Sequence, residues 1–321
     1  MSKTAKRERE RRMSVIETYG LCRNFGNLVA VEDLTLTVEQ GEILGFLGPN
    51  GAGKTTTIRM LSGMIAPTRG YAVVAGIRPD KDVERVHEAI GLVTETQGFY
   101  NRLGAKRNLE FFAGFYPGID YRINVDKYLK IMGLWERRDD KVGTFSKGMK
   151  QRLALARALL HEPSILFFDE PTAGLDPEVA REVRELIGSL SGEGRTVFLS
   201  THNLAEAESL CNRIAVIRTH LLTLDTADQL RGRLFQRQVV VQLESPDRAV
   251  VEAVRKLDFV QDTREEGSQL IIELIEPERN RPDLVKAIVD TGGRIVGVSE
   301  KQHPLEEVYL RLIHEEQVHD S

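Results

Sequence analysis

The sequence predicts an α/β fold interrupted by a helical insert, with a small α+β domain behind it. Three observations predict it. Short apolar runs of strand length recur at 43–47, 165–168 and 196–200, and each leads into polar residues. A glycine-rich stretch, Gly48-Pro49-Asn50-Gly51-Ala52-Gly53-Lys54-Thr55, stands between the first run and a helical pattern that begins at Thr56. Beyond about Arg231 the signals follow the order β-α-β-β-α-β, a ferredoxin-like pattern.

In chain order, residues 1–13 are a charge run, with Lys3, Lys6, Arg7, Arg9, Arg11 and Arg12 against Glu8 and Glu10. With no apolar partner it reads as a solvated, disordered arm, and attraction to an anionic membrane surface is the sharper alternative. Residues 14–230 form the first domain. Strands are expected at 15–18 and at 34–38, where Leu34, Leu36 and Val38 alternate with threonines. Phe25, before Gly26, is placed in the loop between them, as a core aromatic or as a stacking platform for a base. Further strands are expected at 72–75 and 90–93. From about 100 to 160 the pattern turns helical at 109–113, 128–132 and 150–160, an insert before the strand 165–168. One more strand, 196–200, ends at Thr201-His202.

Composition bounds the function. The 321 residues suit two domains, and 41% hydrophobic with 29% charged residues is the balance of a soluble globular protein. A net charge of -4 gives no overall basic field, so no nucleic-acid partner is expected. Cys22 and Cys211 form no motif and are expected as free thiols in a reducing cytosol. No apolar run approaches the roughly 18 residues of a membrane span. The N-terminus is polar and shows no signal-peptide core. Work at a membrane would need spans from another chain.

The glycine-rich stretch fits G-x-x-x-x-G-K-[ST], a phosphate-binding loop. Gly48, Gly51 and Gly53 let backbone N–H groups curl around an anion, and the following helix N-terminus adds partial positive charge. Lys54 would reach the β- and γ-phosphates, and Thr55 offers a hydroxyl to Mg²⁺. A nucleotide is expected here. The strand 165–168 then delivers Asp169-Glu170 to its C-terminal edge, where open α/β sheets bind ligands.

On these residues the chain resembles the ATP-binding subunit of an ABC transporter over roughly residues 15–230. Residues 48–55 resemble its Walker A motif and residues 165–171, Ile-Leu-Phe-Phe-Asp-Glu-Pro, its Walker B motif. Phe145-Ser146-Lys147-Gly148-Met149 is similar to the signature loop, usually LSGGQ, and Ala173-Gly174-Leu175-Asp176 to the D-loop. His202 stands at the switch-histidine position. The resemblance implies an ABC ATPase with ATP and Mg²⁺ as its ligands. ATP would be held by Phe25, Gly48, Pro49, Asn50, Gly51, Ala52, Gly53, Lys54, Thr55 and Thr56. Mg²⁺ would be held by Thr55, Asp169 and Glu95. Glu170 would act as general base and His202 would bond the γ-phosphate. The signature loop would bind ATP held by a second copy, giving a head-to-tail homodimer with Asp176 in the D-loop.

The resemblance further implies a cytoplasmic ATPase, peripheral on the inner face of the cell membrane, that powers export through a separate polytopic permease. A soluble ABC ATPase acting on ribosomes or DNA is the runner-up. Two departures stand out. Glu95 occupies the position where the family usually has Gln, with Gln97 two residues on, and Lys147 and Met149 replace the usual first Gly and Gln of the signature. In residues 231–321, strands are expected at 239–243, from 259, at 270–274 and at 294–298, with helices at 248–257 and 283–290. A final amphipathic helix carries Leu305, Val308, Tyr309, Leu312 and Ile313 on one face. This domain shows no catalytic constellation. Its role is read as added dimer contacts or as regulation, and His303, His314 and His319 are too scattered for a metal site.

Overall fold

A computed structural model describes residues 13–116, 120–234, 238–245, 247–301 and 304–319. The elements run β1 (Ser14–Phe25), β2 (Leu28–Glu39), β3 (Ile43–Leu47), α1 (Lys54–Leu61), β4 (Arg69–Val74), α2 (Val83–Ala89), β5 (Ile90–Val93) and α3 (Ala105–Ala113). There follow α4 (Tyr121–Ile131), α5 (Lys147–Leu159), β6 (Ile165–Asp169), α6 (Pro177–Gly192), β7 (Thr196–Thr201), α7 (Leu204–Leu210), β8 (Arg213–Arg218), β9 (His220–Asp225) and α8 (Ala227–Leu234). The chain divides into two compact units between Ala227 and Asp228, at the start of α8. The second unit contains β10 (Gln238–Leu243), α9 (Arg248–Arg255), β11 (Val260–Glu266), β12 (Gln269–Leu274), α10 (Pro277–Asp290), β13 (Ile295–Glu300) and α11 (Leu305–His319).

A six-stranded sheet of order β5-β6-β7-β3-β8-β9 organises the first unit, parallel except for β9 against β8. Its central strands are buried on both faces, which is why 43–47 and 165–169 read as continuous apolar runs rather than alternating ones. One face, with Leu166, Phe168, Val197 and Leu199, packs on the helices α3 to α6. The other, with Leu44, Phe46, Phe167 and Phe198, packs on α1 and on the antiparallel sheet β2-β1-β4. That second sheet does alternate: in β2, Leu34, Leu36 and Val38 are buried while Thr35 and Thr37 are exposed.

Three details correct the sequence reading. Phe25 is the last residue of β1 and pairs with Leu28 across the two-residue turn Gly26-Asn27, rather than sitting in a loop. The signature helix α5 starts at Lys147, not at 150, because the Ser146 hydroxyl caps it by accepting from the Met149 N–H at 3.2 Å. After 196–201 the sheet gains two more strands, β8 and β9, where one final strand was expected.

The second unit has the order β-α-β-β-α-β from β10 to β13, in an antiparallel sheet arranged β11-β12-β10-β13. Val239, Val241, Leu243, Leu270, Ile272 and Leu274 point to one face. There they meet Val250 and Val254 of α9 and Leu284 and Ile288 of α10. In α11, Leu305 and Val308 are buried as the spacing requires. His303 lies outside the described residues, and nothing is described of the side chains of His314 and His319.

Candidate functional site

Register brings the site together. Asp169 at the end of β6 pairs with Ser200 of β7, and Leu47 at the end of β3 pairs with Thr201. Three neighbouring parallel strands therefore stop level, and Gly48, Glu170 and His202 emerge side by side at their carboxyl edge. An open cleft of about 490 Å³ lies there.

The loop from β3 to α1 forms its floor. Gly53 has φ of 95°, and a Cβ on it would stand 2.4 Å from the Ala30 carbonyl oxygen; a Cβ on Gly48 would stand 2.6 Å from that of Ile217. Only glycine lets this loop lie so close to the backbone beneath it. Lys54, 6% exposed, donates to the carbonyls of Gly48 at 2.7 Å and Pro49 at 3.1 Å. Its ammonium is thus held inside the curl of the loop. Pro49, Asn50, Gly51, Thr55 and Thr56 line the cleft, whereas Ala52 is buried beneath it.

Lys54 also faces the Glu170 Oε1 at 3.3 Å, and the His202 Nδ1 faces Glu170 Oε2 at 2.8 Å. A carboxylate only accepts, so the shared proton sits on Nδ1. Glu170 has φ of 51°, a left-handed conformation unusual for a residue with a side chain. Such backbone costs on the order of 1–3 kcal/mol and persists where the surroundings fix it. Here the Glu170 N–H donates to the Ser200 carbonyl at 3.1 Å. Asp169 is 2% exposed and accepts a bond from the Ser200 hydroxyl.

The cleft's apolar wall is the β1–β2 hairpin tip, with Phe25, Leu28, Val29 and Ala30. The Arg23 guanidinium, anchored by a 2.8 Å bond to the Ala66 carbonyl, stands 4.6 Å from the centre of the Phe25 ring. Arg23 does not line the cleft, so the cation covers one face of a half-exposed ring and leaves an aromatic surface toward the cleft. The structure also separates Glu95 from Gln97. Glu95 lines the cleft, while Gln97 turns away to donate to the Gln151 Oε1 on α5 at 2.6 Å. The Gln97 carbonyl accepts from Arg157 of the same helix.

None of residues 145–149 lines the cleft. Phe145 is buried in the helical core, while Ser146 and Lys147 are exposed at the start of α5. Gly148 is buried against Val179, which a Cβ would approach to 2.9 Å. Met149 packs partly buried on the same core. The Lys147 ammonium lies over Gly174 of the D-loop stretch, where an added Cβ would meet it at 2.3 Å. Asp176 is exposed and stands at the N-cap of α6 without a side-chain bond to it.

Sequence reasoning missed Glu206 and Thr172. Glu206 is 1% exposed, and the Thr172 hydroxyl donates to its Oε1 at 2.8 Å. Asn203 with Glu206 three residues on is a capping-box spacing, and that was the signal available.

The loop's glycine cradle and the lysine within it fit a polyphosphate, and the buried Glu170 Oε1, an acceptor with no hydrogen-bond partner besides the lysine's charge, fits a water beside it. Thr55, Asp169 and Glu95 are oxygen donors suited to a hard cation. Among the described residues no group of three or more His, Cys, Asp or Glu could hold a metal alone. A cation here would lean on the phosphates of its nucleotide, as Mg²⁺ commonly does.

Comparison with known proteins agrees with this geometry. The family described as ABC transporter matches residues 31–173. The bacitracin transport ATP-binding protein BcrA of Bacillus licheniformis is 38% identical over 303 residues, 94% of this chain and 97% of that protein. A fluoroquinolones export ATP-binding protein of Mycobacterium tuberculosis is 40% identical over 214 residues, 66% of this chain and 70% of its own. A solved ATP-binding subunit of an ABC transporter is 30% identical with a TM-score of 0.64, covering 68% of this chain and 93% of that one.

Proposed function

The chain belongs to the ABC transporter ATP-binding family and is an ATPase; from that premise we propose that it powers export through a separate polytopic membrane permease. It acts as a homodimer on the cytoplasmic face of the membrane. The observation that carries the reading is Glu170, held between Lys54 and His202 at the carboxyl edge of the sheet. The relatives with transport and export in their names favour this over a soluble ATPase acting on ribosomes or DNA. Among the described residues no helix is long and apolar enough to cross a membrane.

In this reading the adenine of ATP stacks on the open face of Phe25. Backbone N–H groups of residues 50–54 and the Lys54 ammonium hold the phosphates. Thr55, Asp169 and Glu95 would hold Mg²⁺, which when bound would supply positive charge against the phosphates. As Lys54 turns to the γ-phosphate it leaves Glu170 Oε1 free to accept the proton of the attacking water. His202 meets the γ-phosphate through Nε2, which must then carry a proton. Ser146 and Lys147, outside the cleft at an exposed helix N-terminus, meet the nucleotide of the second copy.

The test is affinity purification of the Glu170→Gln form from gently solubilised membranes in Mg-ATP, with its partners identified by mass spectrometry. A stoichiometric polytopic membrane protein is expected. Ribosomal proteins or DNA-bound factors in its place would overturn the reading.

A further inference from the structure

The carboxyl group of Glu206 has no part in the chemistry described above, yet it is buried beside it. Its place in α7 follows from the sequence: Asn203 caps the helix by accepting from the Glu206 N–H at 3.1 Å. In a capping box the glutamate at this position would turn back to the N–H of the capping residue. Here that N–H is taken by the Thr201 hydroxyl at 3.0 Å. The Glu206 side chain turns inward instead and accepts from the Thr172 hydroxyl at 2.8 Å.

Its two attachments lie on different loops. Thr172 is two residues after Glu170, on the loop that leaves β6, and that loop is stitched by bonds from Ala173 N–H to the Glu170 carbonyl and from Leu175 N–H to the Thr172 carbonyl. Asn203 follows His202 directly, on the loop that leaves β7. Glu206 therefore links the two loops, through its side chain to Thr172 and through its N–H to Asn203, in addition to the contact that Glu170 and His202 make.

The bridge is costly. Glu206 Oε2 is buried with no hydrogen-bond partner, so its desolvation is not offset. Burial pushes its carboxyl up toward the neutral form, and the nearby Glu170 charge adds to this. The Thr201 and Thr172 hydroxyls and Arg184 of α6 oppose it. An apolar side chain would fill the same space without that cost, so packing does not explain the glutamate.

We propose that Glu206 is a positioning residue for ATP hydrolysis, tying the Glu170 loop to the His202 loop so that the two side chains keep their spacing during turnover. The proposal rests on the reading of Glu170 as general base and His202 as its partner. A displacement of about 1 Å at reacting groups can cost on the order of 10²-fold in rate. A bridge that fixes two loops acts on kcat and leaves ATP affinity alone, because neither Glu206 nor Thr172 lines the cleft.

The experiment measures kcat, KM and ATP affinity for Glu206→Ala, Glu206→Gln, Thr172→Val and the double variant Glu206→Ala/Thr172→Val, with Glu170→Gln as control. Glu206→Ala is expected to lower kcat at least tenfold with ATP affinity within about threefold. Glu206→Gln, whose amide oxygen still accepts from Thr172, is expected to restore most of the rate. The double variant is expected to be no slower than the slower single, the mark of a shared bond. Full turnover by folded Glu206→Ala, or equal loss in the Ala and Gln forms, would overturn the proposal. If Glu206→Ala does not fold, Thr172→Val removes only the hydroxyl bond and decides the matter by its kcat. Full turnover by Glu170→Gln would instead overturn the reading on which the proposal rests.

Discussion

Both units of this chain back a sheet with helices, but they bury different things. The first buries Lys54, Asp169 and Glu206 within a few residues of one another's loops. In the second, among the described residues, Thr263 is the only buried polar side chain, and the core is valine, leucine and isoleucine. Buried ionisable groups cost several kcal/mol unless they are compensated, so a fold keeps them where a partner offsets them, as Arg213 does for Glu42, or where chemistry needs them. The contrast divides the molecule into a unit whose buried charges surround the phosphate loop and a unit whose buried core is apolar.

The sharpest way to break that division is Glu170→Gln. It should lower ATP hydrolysis on the order of 10²–10⁴-fold while ATP binding persists, read as phosphate release beside nucleotide titration. Next is Ile288→Ala in α10, a fully buried side chain of the second core. It should destabilise that unit by about 2–5 kcal/mol, seen as a lowered calorimetric transition, with ATP affinity unchanged. A shift in ATP affinity there would show that the second unit speaks to the first. The smallest effect is expected from Phe25→Leu, which keeps an apolar side chain but loses the ring. ATP should bind about 0.5–1.5 kcal/mol more weakly in a nucleotide titration, and unchanged affinity would remove the stacking role.

Legibility in the sequence follows the same division. The phosphate loop and Asp169-Glu170 could be read because each is contiguous and each is fed by an unbroken apolar strand. The second core could be read because Val250, Val251 and Val254 repeat at helical spacing. Glu206 could not, since its partner Thr172 is 34 residues away and its local spacing imitates an ordinary cap. Strand β8 escaped notice because its run, Arg213–Arg218, is buried on both faces and gives no period of two. Glu95 could be chosen by counting from the strand 90–93, whereas the bonds that turn Gln97 away, to Gln151 and Arg157, are ones that only the fold brings near. Phe25 was placed one element off because the turn after it is only two residues long.

The position of β3 in the sheet also sets an order of assembly. Its neighbours are β7 and β8, so the strand that launches the phosphate loop stays unpaired on both edges until roughly 150 more residues have left the ribosome. At about 5–20 residues per second this lasts on the order of ten seconds or more. The β1–β2 hairpin closes within its own 26 residues, Ser14 to Glu39, and needs no such wait. The nucleotide pocket is thus among the last parts of its unit to mature on a growing chain. Until then the apolar strand Ile43–Leu47 lacks both of the strands that bury its edges.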